Sequence, residues 1–447
     1  MTKALLIGAG FSADLGMPLV NELSKVFFKD FNNNAVEKLI NNLRKTEPYG
    51  KSIKLSSEAF DDIMRVFIEN DSKNNYEHFI GKIENLEKQK PSNNYLHTVS
   101  FFKSILYDRI YDYFVKYQLC SYPIYSIMKS AYSDFCNLIS QTEETWVLSL
   151  NHDLMIEFLC LDYGIPLSVG YNEIQTFPLD NEKNKNKIIS FNKLNRDEFD
   201  INKMQFFKKT TGVNLIKLHG GINEFSIGDN GNFEYGKNLL FADLTEFKSS
   251  CAYEIYVQQI NNHMRHYING KYLPAGKEIV VSNFDGEMEF LRKSMLTGGN
   301  KFSKKLVEAQ GTSMYPLKQV LNKVDELIII GYSFCDVHIN ERIDEAMILN
   351  PNLVLKVSTL NNIELPRCID RHDVNGRIKK FIGFKTPEFL HYINTNERNH
   401  PQENLLLDYR MSLENKNYNS FLNKYLTKDM LLQNMEYTKY CAENSKK

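Results

Sequence analysis

Four short segments of this 447-residue sequence place glycine, serine or an ionisable side chain directly after an apolar run. In the first segment, the apolar residues 4–7 are followed by a glycine-rich stretch, Gly8, Ala9, Gly10, Phe11 and Ser12. A strand that turns through glycines into a helix lets the backbone approach a pyrophosphate, and the free amides at the start of the helix favour an anion. These five residues are therefore candidates for binding a phosphate group, although a strand–helix turn without a ligand needs similar residues.

The second segment places an amide and a carboxylate in one turn. Asn151 and Asp153 follow the apolar run 146–150 and precede a predicted apolar helix over 154–161. Asp153 could simply cap that helix, which is a common role for aspartate. A pure cap does not explain the asparagine two residues earlier, so we take both residues as candidate catalytic groups.

The third segment contains a histidine with space beside it. His219 follows the apolar run 215–218, and Gly220 and Gly221 come next. A single histidine after a strand is more often structural than catalytic, but two small residues leave room for a ligand next to the imidazole. Because histidine titrates near neutral pH, His219 is a candidate general base.

The fourth segment repeats the arrangement of strand, glycine turn and helix. Gly331 and Ser333 follow the apolar run 326–330 and could donate hydrogen bonds to a phosphate or a ribose, whereas Asp336 could be a helix cap. A weaker fifth candidate is Asn361, which follows the run 353–358 and would suit the edge of a nucleoside.

The apolar runs also predict the fold class. Runs of continuous rather than alternating apolar residues occupy 4–7, 146–150, 215–218, 278–281, 326–330 and 353–357. Continuous apolarity is typical of strands that are buried on both faces of a parallel sheet. Helical patterns between the runs predict an α/β protein with a doubly wound, Rossmann-like parallel sheet. Ligands of such sheets bind outside the carboxyl ends of the strands, so we expect the candidate residues to share one cleft.

Two helical regions are predicted in addition to this sheet. A large helical insertion is expected over about residues 30–140, where Phe102, Leu106 and Ile110 recur at helical spacing. We predict one domain over 1–385 that includes this insertion, followed by a helical C-terminal tail over 386–447. In the tail, an apolar face that could pack on the body or on a partner is formed by Phe421, Leu422, Tyr425 and Leu426. The polar stretches 180–202 and 225–236 are predicted to be exposed excursions.

Composition excludes several classes of protein. A formal net charge of -1 gives no broad field that would attract nucleic acid or an anionic membrane. No run of about 18 apolar residues is present, and the N-terminal apolar run is too short for a secretion signal. The seven cysteines are scattered without C-x-x-C spacing, which favours reduced thiols. We expect a cytoplasmic protein that has no membrane span and does not bind nucleic acid directly.

The four segments, in this order, resemble the sirtuin-like superfamily, and more closely the branch found in bacterial anti-phage defence. The sirtuin pattern runs through a Gly-Ala-Gly-x-Ser loop, a Gln-Asn-x-Asp turn, a His-Gly turn and a late Gly-Thr-Ser. The matching residues here are Gly8-Ala9-Gly10-Phe11-Ser12, Asn151-His152-Asp153, His219-Gly220 and Gly331-Tyr332-Ser333. The matches lie between residues 4 and 362, and the helical segment around 30–140 has no counterpart in the pattern.

The sequence also departs from the sirtuin deacylases. Those enzymes carry Asp-Phe-Arg after a Gly-x-Pro, whereas Pro18 is followed here by Leu19, Val20 and Asn21. They also carry a four-cysteine zinc ribbon, which this cysteine spacing cannot supply. The defence-associated relatives lack the ribbon as well.

The resemblance implies that NAD is a substrate and that its nicotinamide–ribose bond is hydrolysed without a metal, depleting NAD in an infected cell. It implies that Asn151 positions the ribose or the attacking water, that His219 is the general base, and that Asp153 stabilises positive charge or orients Asn151. The phosphates and the adenosine half would be held by Gly8, Gly10, Ser12, Gly331 and Ser333.

The resemblance also implies a homo-oligomer, or a defence partner such as a helicase-like ATPase or an Argonaute. Two alternatives remain open for the activity. One is a protein deacylase without zinc, and the other is a sensor that binds NAD or a nucleotide without turnover. Retention of both Asn151 and His219 argues against the sensor, because binding alone would not require them.

Overall fold

Strand β1 (Lys3–Ile7) lies near the middle of a seven-stranded sheet in which every strand pair is parallel. The computed structural model describes residues 2–45, 54–70, 75–89, 92–140, 144–171, 173–178, 188–195, 199–227, 238–263, 267–268, 271–272, 278–282, 284–285, 288–295, 314–374 and 376–444. The other strands of this sheet are β2 (Thr145–Ser149), β3 (Leu167–Ser168), β6 (Val213–Lys217), β13 (Glu326–Ile330), β14 (Val354–Thr359) and β15 (Ile378–Ile382).

The order of the strands is β15-β14-β13-β1-β2-β6-β3. From β1 the chain builds the sheet in one direction through β2 and β6, and it later returns to add β13 on the opposite side of β1. The strand order therefore reverses between β1 and β13, which is the topological switch point where open α/β sheets bind ligands. The three central strands β13, β1 and β2 are almost completely buried, as their continuous apolar sequences predict.

A second sheet has six strands, all antiparallel, in the order β11-β12-β7-β8-β5-β4. Its strands are β4 (Glu173–Pro178), β5 (Ile188–Asn195), β7 (Glu224–Ile227), β8 (Asn238–Ala242), β11 (Glu278–Ser282) and β12 (Met288–Lys293). A separate pair is formed by β9 (Tyr267–Ile268) and β10 (Lys271–Tyr272).

This second sheet corrects two of the sequence predictions. The run 278–281 is a strand, as predicted, but it belongs to the antiparallel sheet rather than to the parallel one. The stretches 180–202 and 225–236 were expected to be exposed, yet their described parts contain β5 and the buried strand β7. Phe191 and Phe225 of these strands are fully buried and their rings lie 5.8 Å apart. The remaining residues of the two stretches, 180–187, 196–198 and 228–236, lie outside the described residues.

The predicted helical insertion is present between β1 and β2. It is preceded by α1 (Ala9–Ser12) and α2 (Val20–Asp30), and its own helices are α3 (Asn33–Leu43), α4 (Ser57–Ile68), α5 (Tyr76–Leu86), α6 (Asn93–Met128) and α7 (Ser133–Ser140). Helix α6 has 36 residues, and the predicted face of Phe102, Leu106 and Ile110 is fully buried. Because these side chains belong to the same apolar core as β1, the helical segment packs on the body of the molecule.

Helices also follow the later strands and form the C-terminal tail. They are α8 (Met155–Asp162), α9 (Ser250–His263), α10 (Met314–Lys323), α11 (Val337–Leu349), α12 (Arg367–Asp370), α13 (Thr386–Thr395), α14 (Glu403–Glu414), α15 (Tyr418–Tyr425), α16 (Lys428–Gln433) and α17 (Met435–Asn444). The apolar face predicted in the tail packs on the body, since Phe421 is buried in the main core and its neighbours pack against that core. Within the described ranges, no helix combines the length and apolarity needed to cross a membrane.

Candidate functional site

The glycine loop after β1 and the loop after β13 touch each other at the switch point. The Gly8 amide donates to the Ile330 carbonyl oxygen at 3.0 Å, and the Gly10 amide donates to the Gly331 carbonyl oxygen at 3.1 Å. A Cβ on Gly331 would lie 2.4 Å from the backbone nitrogen of Phe11, and Gly331 has a positive φ of 66°. Glycine is therefore required on both sides, because only bare backbones can approach so closely.

Asn151 connects the turn after β2 to this glycine loop. Its Nδ2 donates to the Gly8 carbonyl oxygen at 3.0 Å and to Ser12 Oγ at 3.1 Å, and its backbone amide donates to Ser149 Oγ at 3.1 Å. These bonds fix the plane of the carboxamide. Its Oδ1 makes no hydrogen bond within the described part of the chain, and Asn151 lines the adjacent cavity. The amide oxygen can therefore accept a hydrogen bond from a ligand.

Asp153 is buried and lies two residues before the first residue of helix α8. Its Oδ1 accepts a hydrogen bond at 3.1 Å from the amide of Met155, the first residue of that helix, whereas the N-cap position is held by Leu154. Burial raises the pKa of its carboxyl, and the nearby Lys217 ammonium opposes that rise. Asp153 therefore satisfies a backbone amide at the start of α8 without occupying the N-cap position.

A buried lysine contacts the turn after β2, which carries Asn151 and Asp153. Lys217, at the end of β6, forms an ion pair with Glu157 at 2.7 Å, and both side chains are almost fully buried. The Lys217 ammonium also donates to the Asp153 carbonyl oxygen at 2.6 Å and to Asn223 Oδ1 at 3.2 Å. Burying this pair is costly unless both partners remain hydrogen-bonded, so the contacts hold the turn that carries Asn151 in a single arrangement.

His219 lies on the turn after β6 and is buried against two other imidazoles. The centre of its ring lies 6.4 Å from that of His152 and 5.9 Å from that of His338. The Nδ1 of His152 lies 3.0 Å from the Gly220 carbonyl oxygen, which connects the two turns. The structure thus brings the turns after β2 and β6 together, as expected for neighbouring strands of a parallel sheet.

These loops surround a cavity of about 940 Å³, which is at the upper end of the range for pockets that hold small molecules and cofactors. The predicted site residues in its lining are Gly8, Ala9, Gly10, Asn151, Asp153, His219, Gly331 and Ser333. Phe11 and Ser12 are buried beside it rather than in its lining, with Ser12 bonded to Asn151. Asn361 is exposed and is not part of the lining.

The helical insertion supplies part of the lining that the sequence interpretation did not identify. Polar residues of α5 face the cavity, namely His78, Lys82 and Asn85, and Phe114 of α6 closes one side. Their spacing of four and three residues is a visible polar stripe, but such a stripe more often indicates a solvated face. His152 also lines the cavity and was not among the predicted site residues.

Comparisons with known proteins find similar solved structures, but they find no matching family model or curated protein. No protein-family model matches the sequence, and no curated protein matches it. Among solved structures, a Sir2 homologue in complex with NAD is 10% identical, with a TM-score of 0.35, covering 88% of this chain and 88% of that one. A mutant Sir2 homologue in complex with 2'-O-acetyl ADP ribose is 11% identical, with a TM-score of 0.36, covering 88% of this chain and 91% of that one. At these values the fold assignment rests on the strand order and register of the chain itself.

Proposed function

We propose that this chain is an NAD hydrolase that cleaves the nicotinamide–ribose bond to give nicotinamide and ADP-ribose. One observation carries the proposal: the glycine loop after β1, the Gly331 loop, Asn151 and His219 all line one cavity at the switch point of a parallel sheet. The order of these motifs along the chain, which resembles the sirtuin-like pattern, supports NAD as the ligand.

In this proposal the loops hold the dinucleotide. The Gly8, Gly10 and Phe11 amides already donate within the protein, so the glycines act by allowing close approach of the pyrophosphate. Ser333 lines the cavity and would donate to a phosphate or a ribose. Lys82 of α5 also lines the cavity and supplies a cation that would suit a pyrophosphate, which carries negative charge.

The chemistry requires positioning more than acid catalysis. Nicotinamide leaves as a neutral molecule, and positive charge develops on the ribose in an oxocarbenium-like transition state. Asn151, with its carboxamide plane fixed by two hydrogen bonds, would hold a ribose hydroxyl or the attacking water through Oδ1. His219 would accept the proton of the water as the oxygen attacks the ribose carbon. Asp153 would orient Asn151 by holding the turn, and the reaction needs no metal.

We further propose that turnover depletes the cytoplasmic NAD pool as an anti-phage, abortive-infection response. The helical insertion and the C-terminal tail are the surfaces we expect to contact another copy of the chain or a defence partner, such as a helicase-like ATPase or an Argonaute. A deacylase without zinc and an NAD or nucleotide sensor are the alternatives that the following experiment separates.

The test is to incubate purified protein with NAD and to quantify nicotinamide and ADP-ribose, alongside Asn151→Ala and His219→Ala. We expect each variant to lose about 100-fold or more of the activity, as is typical when a general base or a positioning group is removed. Matched controls are Asn42→Ala and His97→Ala, which alter exposed residues of α3 and α6 and should retain activity.

Other outcomes identify the alternatives. Saturable NAD binding without turnover would favour a sensor, and turnover that requires an acetylated peptide would favour a deacylase. Turnover that survives both site variants would refute the assigned roles, and no binding of NAD would refute the proposed function.

A further inference from the structure

Three side chains that could bind a metal ion lie together beside the cavity. His219 follows β6, and Asp336 and His338 lie at the start of α11. Each offers one ligand atom, and these atoms all lie within 4.8 Å of one another. His219 and Asp336 are buried, and His338 is half-buried. Two imidazoles and one carboxylate are a donor set typical of zinc and of similar divalent transition metals.

The local structure orients Asp336 toward this cluster. Asp336 occupies the N-cap position of α11, yet its carboxylate makes no capping hydrogen bond, although aspartate is among the preferred N-cap residues. Its backbone is held instead by Tyr332, whose hydroxyl accepts from the Asp336 amide at 3.2 Å and lies 3.1 Å from its carbonyl oxygen. The same hydroxyl lies 3.0 Å from Asn340 Oδ1. The backbone of Asp336 is therefore fixed without its carboxylate, which lies beside the two imidazoles.

We propose that His219, Asp336 and His338 form a site for one divalent transition-metal ion of the zinc class. Bonds of about 2.1 Å at tetrahedral angles place ligand atoms roughly 3.4 Å apart, so closing the cluster requires side-chain shifts of about 1 Å. His338, half-buried in the first turn of a helix, can make such a shift. His219 and Asp336 line the cavity, so the remaining coordination position faces it and can hold water or an anion.

The site also predicts a regulatory effect, which rests on the proposed function. A metal ion on His219 takes the imidazole lone pair that a general base needs to accept a proton. Metal binding and NAD hydrolysis therefore exclude each other at this residue. The ion also connects the turn after β6 to the start of α11, so it stabilises the folded protein.

The first experiment measures metal binding without NAD. Chelator-treated full-length protein is titrated with Zn²⁺ by calorimetry and with Co²⁺ by absorption spectroscopy, whose visible bands report the coordination geometry. We expect one ion per chain in the wild type, and a loss of affinity of at least about tenfold in His338→Ala and in Asp336→Asn. A matched control is His372→Ala, because His372 pairs at 2.6 Å with Asp344 of α11 without belonging to the cluster.

Failure of the wild type to bind one ion, or equal binding by all variants, would overturn the site. Thermal unfolding of His338→Ala and Asp336→Asn verifies that both variants are folded, and the conservative Asp336→Asn change keeps the shape of the side chain.

The second experiment tests the regulatory effect. Zn²⁺ should inhibit NAD hydrolysis by the wild type, a chelator should reverse the inhibition, and His338→Ala should keep its basal activity with at least about tenfold lower sensitivity to Zn²⁺. Activity that is unchanged or increased by bound Zn²⁺ would contradict mutual exclusion. A protein that binds Zn²⁺ through these residues but never hydrolyses NAD would support the metal site and refute the proposed function.

Discussion

At the scale of single residues, a substitution at Gly331 tests whether NAD binding depends on the close contact between the glycine loop after β1 and the loop after β13. A Cβ at this position would meet the Gly10 carbonyl carbon at 2.5 Å, in addition to the backbone of Phe11. Gly331→Ala should therefore weaken NAD binding strongly and destabilise the protein by more than the roughly 1–2 kcal/mol of a left-handed backbone alone. Denaturant unfolding and calorimetric titration with NAD measure the two effects.

The matched control for this change is Gly164→Ala. Gly164 has a similar φ of 65°, but no atom of the described ranges lies within 4 Å of the position of an added Cβ. This variant should show only the backbone penalty and normal NAD binding. Equal behaviour of the two variants would contradict the role assigned to loop contact.

The pair of Lys217 and Glu157 predicts a second effect at the residue scale. Lys217→Met leaves the Glu157 carboxylate buried with one remaining donor among the described residues, Asn223 Nδ2 at 2.9 Å. Breaking such a pair destabilises a protein by roughly 3–5 kcal/mol, whereas replacing both partners costs less. Denaturant unfolding should therefore show that Lys217→Met/Glu157→Gln is more stable than Lys217→Met. A double variant less stable than the single one would argue against an isolated charge as the cause.

Some of the residues around the cavity could be predicted from the sequence and others could not, and the difference has a physical reason. Asn151, His219 and Gly331 could be identified because each follows a continuous apolar run, and the carboxyl ends of parallel strands meet at one edge. Lys82 of the cavity lining and His338 of the proposed metal cluster could not be predicted in this way, because they lie on helices where polar side chains usually face water. Their proximity depends on how those helices pack, and single-sequence patterns do not encode that packing.

At the scale of elements, the same contrast separates strands that have continuous apolar sequences from strands that do not. The strands β13, β1 and β2 are buried on both faces and have continuous apolar sequences, so they could be predicted. The strand β7 has the sequence Glu-Phe-Ser-Ile, and its buried Glu224 and Ser226 conceal it within a polar stretch. The edge strand β15 is mostly exposed, and two lysines interrupt its apolar residues, so it has no continuous apolar run.

A contact between elements predicts that the C-terminal tail stabilises the glycine loop. Arg410 of α14 forms an ion pair with Asp14 at 2.6 Å, just after the loop, and a second pair with Glu388 of α13. Burial alone would raise the pKa of Glu388, but hydrogen bonds and the charge of Arg410 lower it. Arg410→Met should therefore destabilise the protein by about 1–3 kcal/mol and weaken NAD binding through the loop.

The control is Arg371→Met, which removes a more exposed pair with Asp344 and should cost less than about 1 kcal/mol. Because the pKa of Glu388 is lowered in the folded protein, its ion pair with Arg410 contributes stability above the ordinary glutamate range and loses it as the pH falls through the lowered pKa. The difference in free energy of unfolding between Arg410→Met and the wild type should therefore shrink over that fall in pH. A difference that grew in acid would contradict the pairing.

At the scale of the whole molecule, α9 joins regions that are distant in sequence. Gln258 Nε2 donates to the Val115 carbonyl oxygen of α6 at 2.9 Å, and Asn261 Nδ2 donates to the Ile222 carbonyl oxygen at 2.9 Å. Asn262 Nδ2 donates to the Tyr440 hydroxyl of α17 at 2.6 Å. The insertion, the loop between β6 and β7, and the tail are therefore coupled through one helix, so a change inside α9 affects the stability of all three regions.

Loss of a proton from Glu254 is a change of this kind. Glu254 is fully buried in α9, its Oε1 accepts a hydrogen bond from Gln258 at 2.8 Å, and burial raises its pKa to about 8. Between pH 4.5, the ordinary value, and about 8, the folded protein keeps a proton on Glu254 that the unfolded chain releases. The unfolded state then binds fewer protons, so the stability contributed by this site falls as the pH rises through this interval and is constant below it.

Glu254→Gln should remove this pH dependence, because a neutral amide keeps the shape of the protonated side chain. The variant should be as stable as the wild type near pH 4.5. At pH 8 it should unfold at a higher temperature than the wild type, and its free energy of unfolding should be larger by a few kcal/mol. Thermal unfolding from pH 5 to pH 8 measures this trend, with exposed Glu37→Gln as the matched control. If the two variants depart equally from the wild type at every pH, Glu254 does not hold a proton in the folded protein, and α9 couples the three regions through packing and amide hydrogen bonds alone.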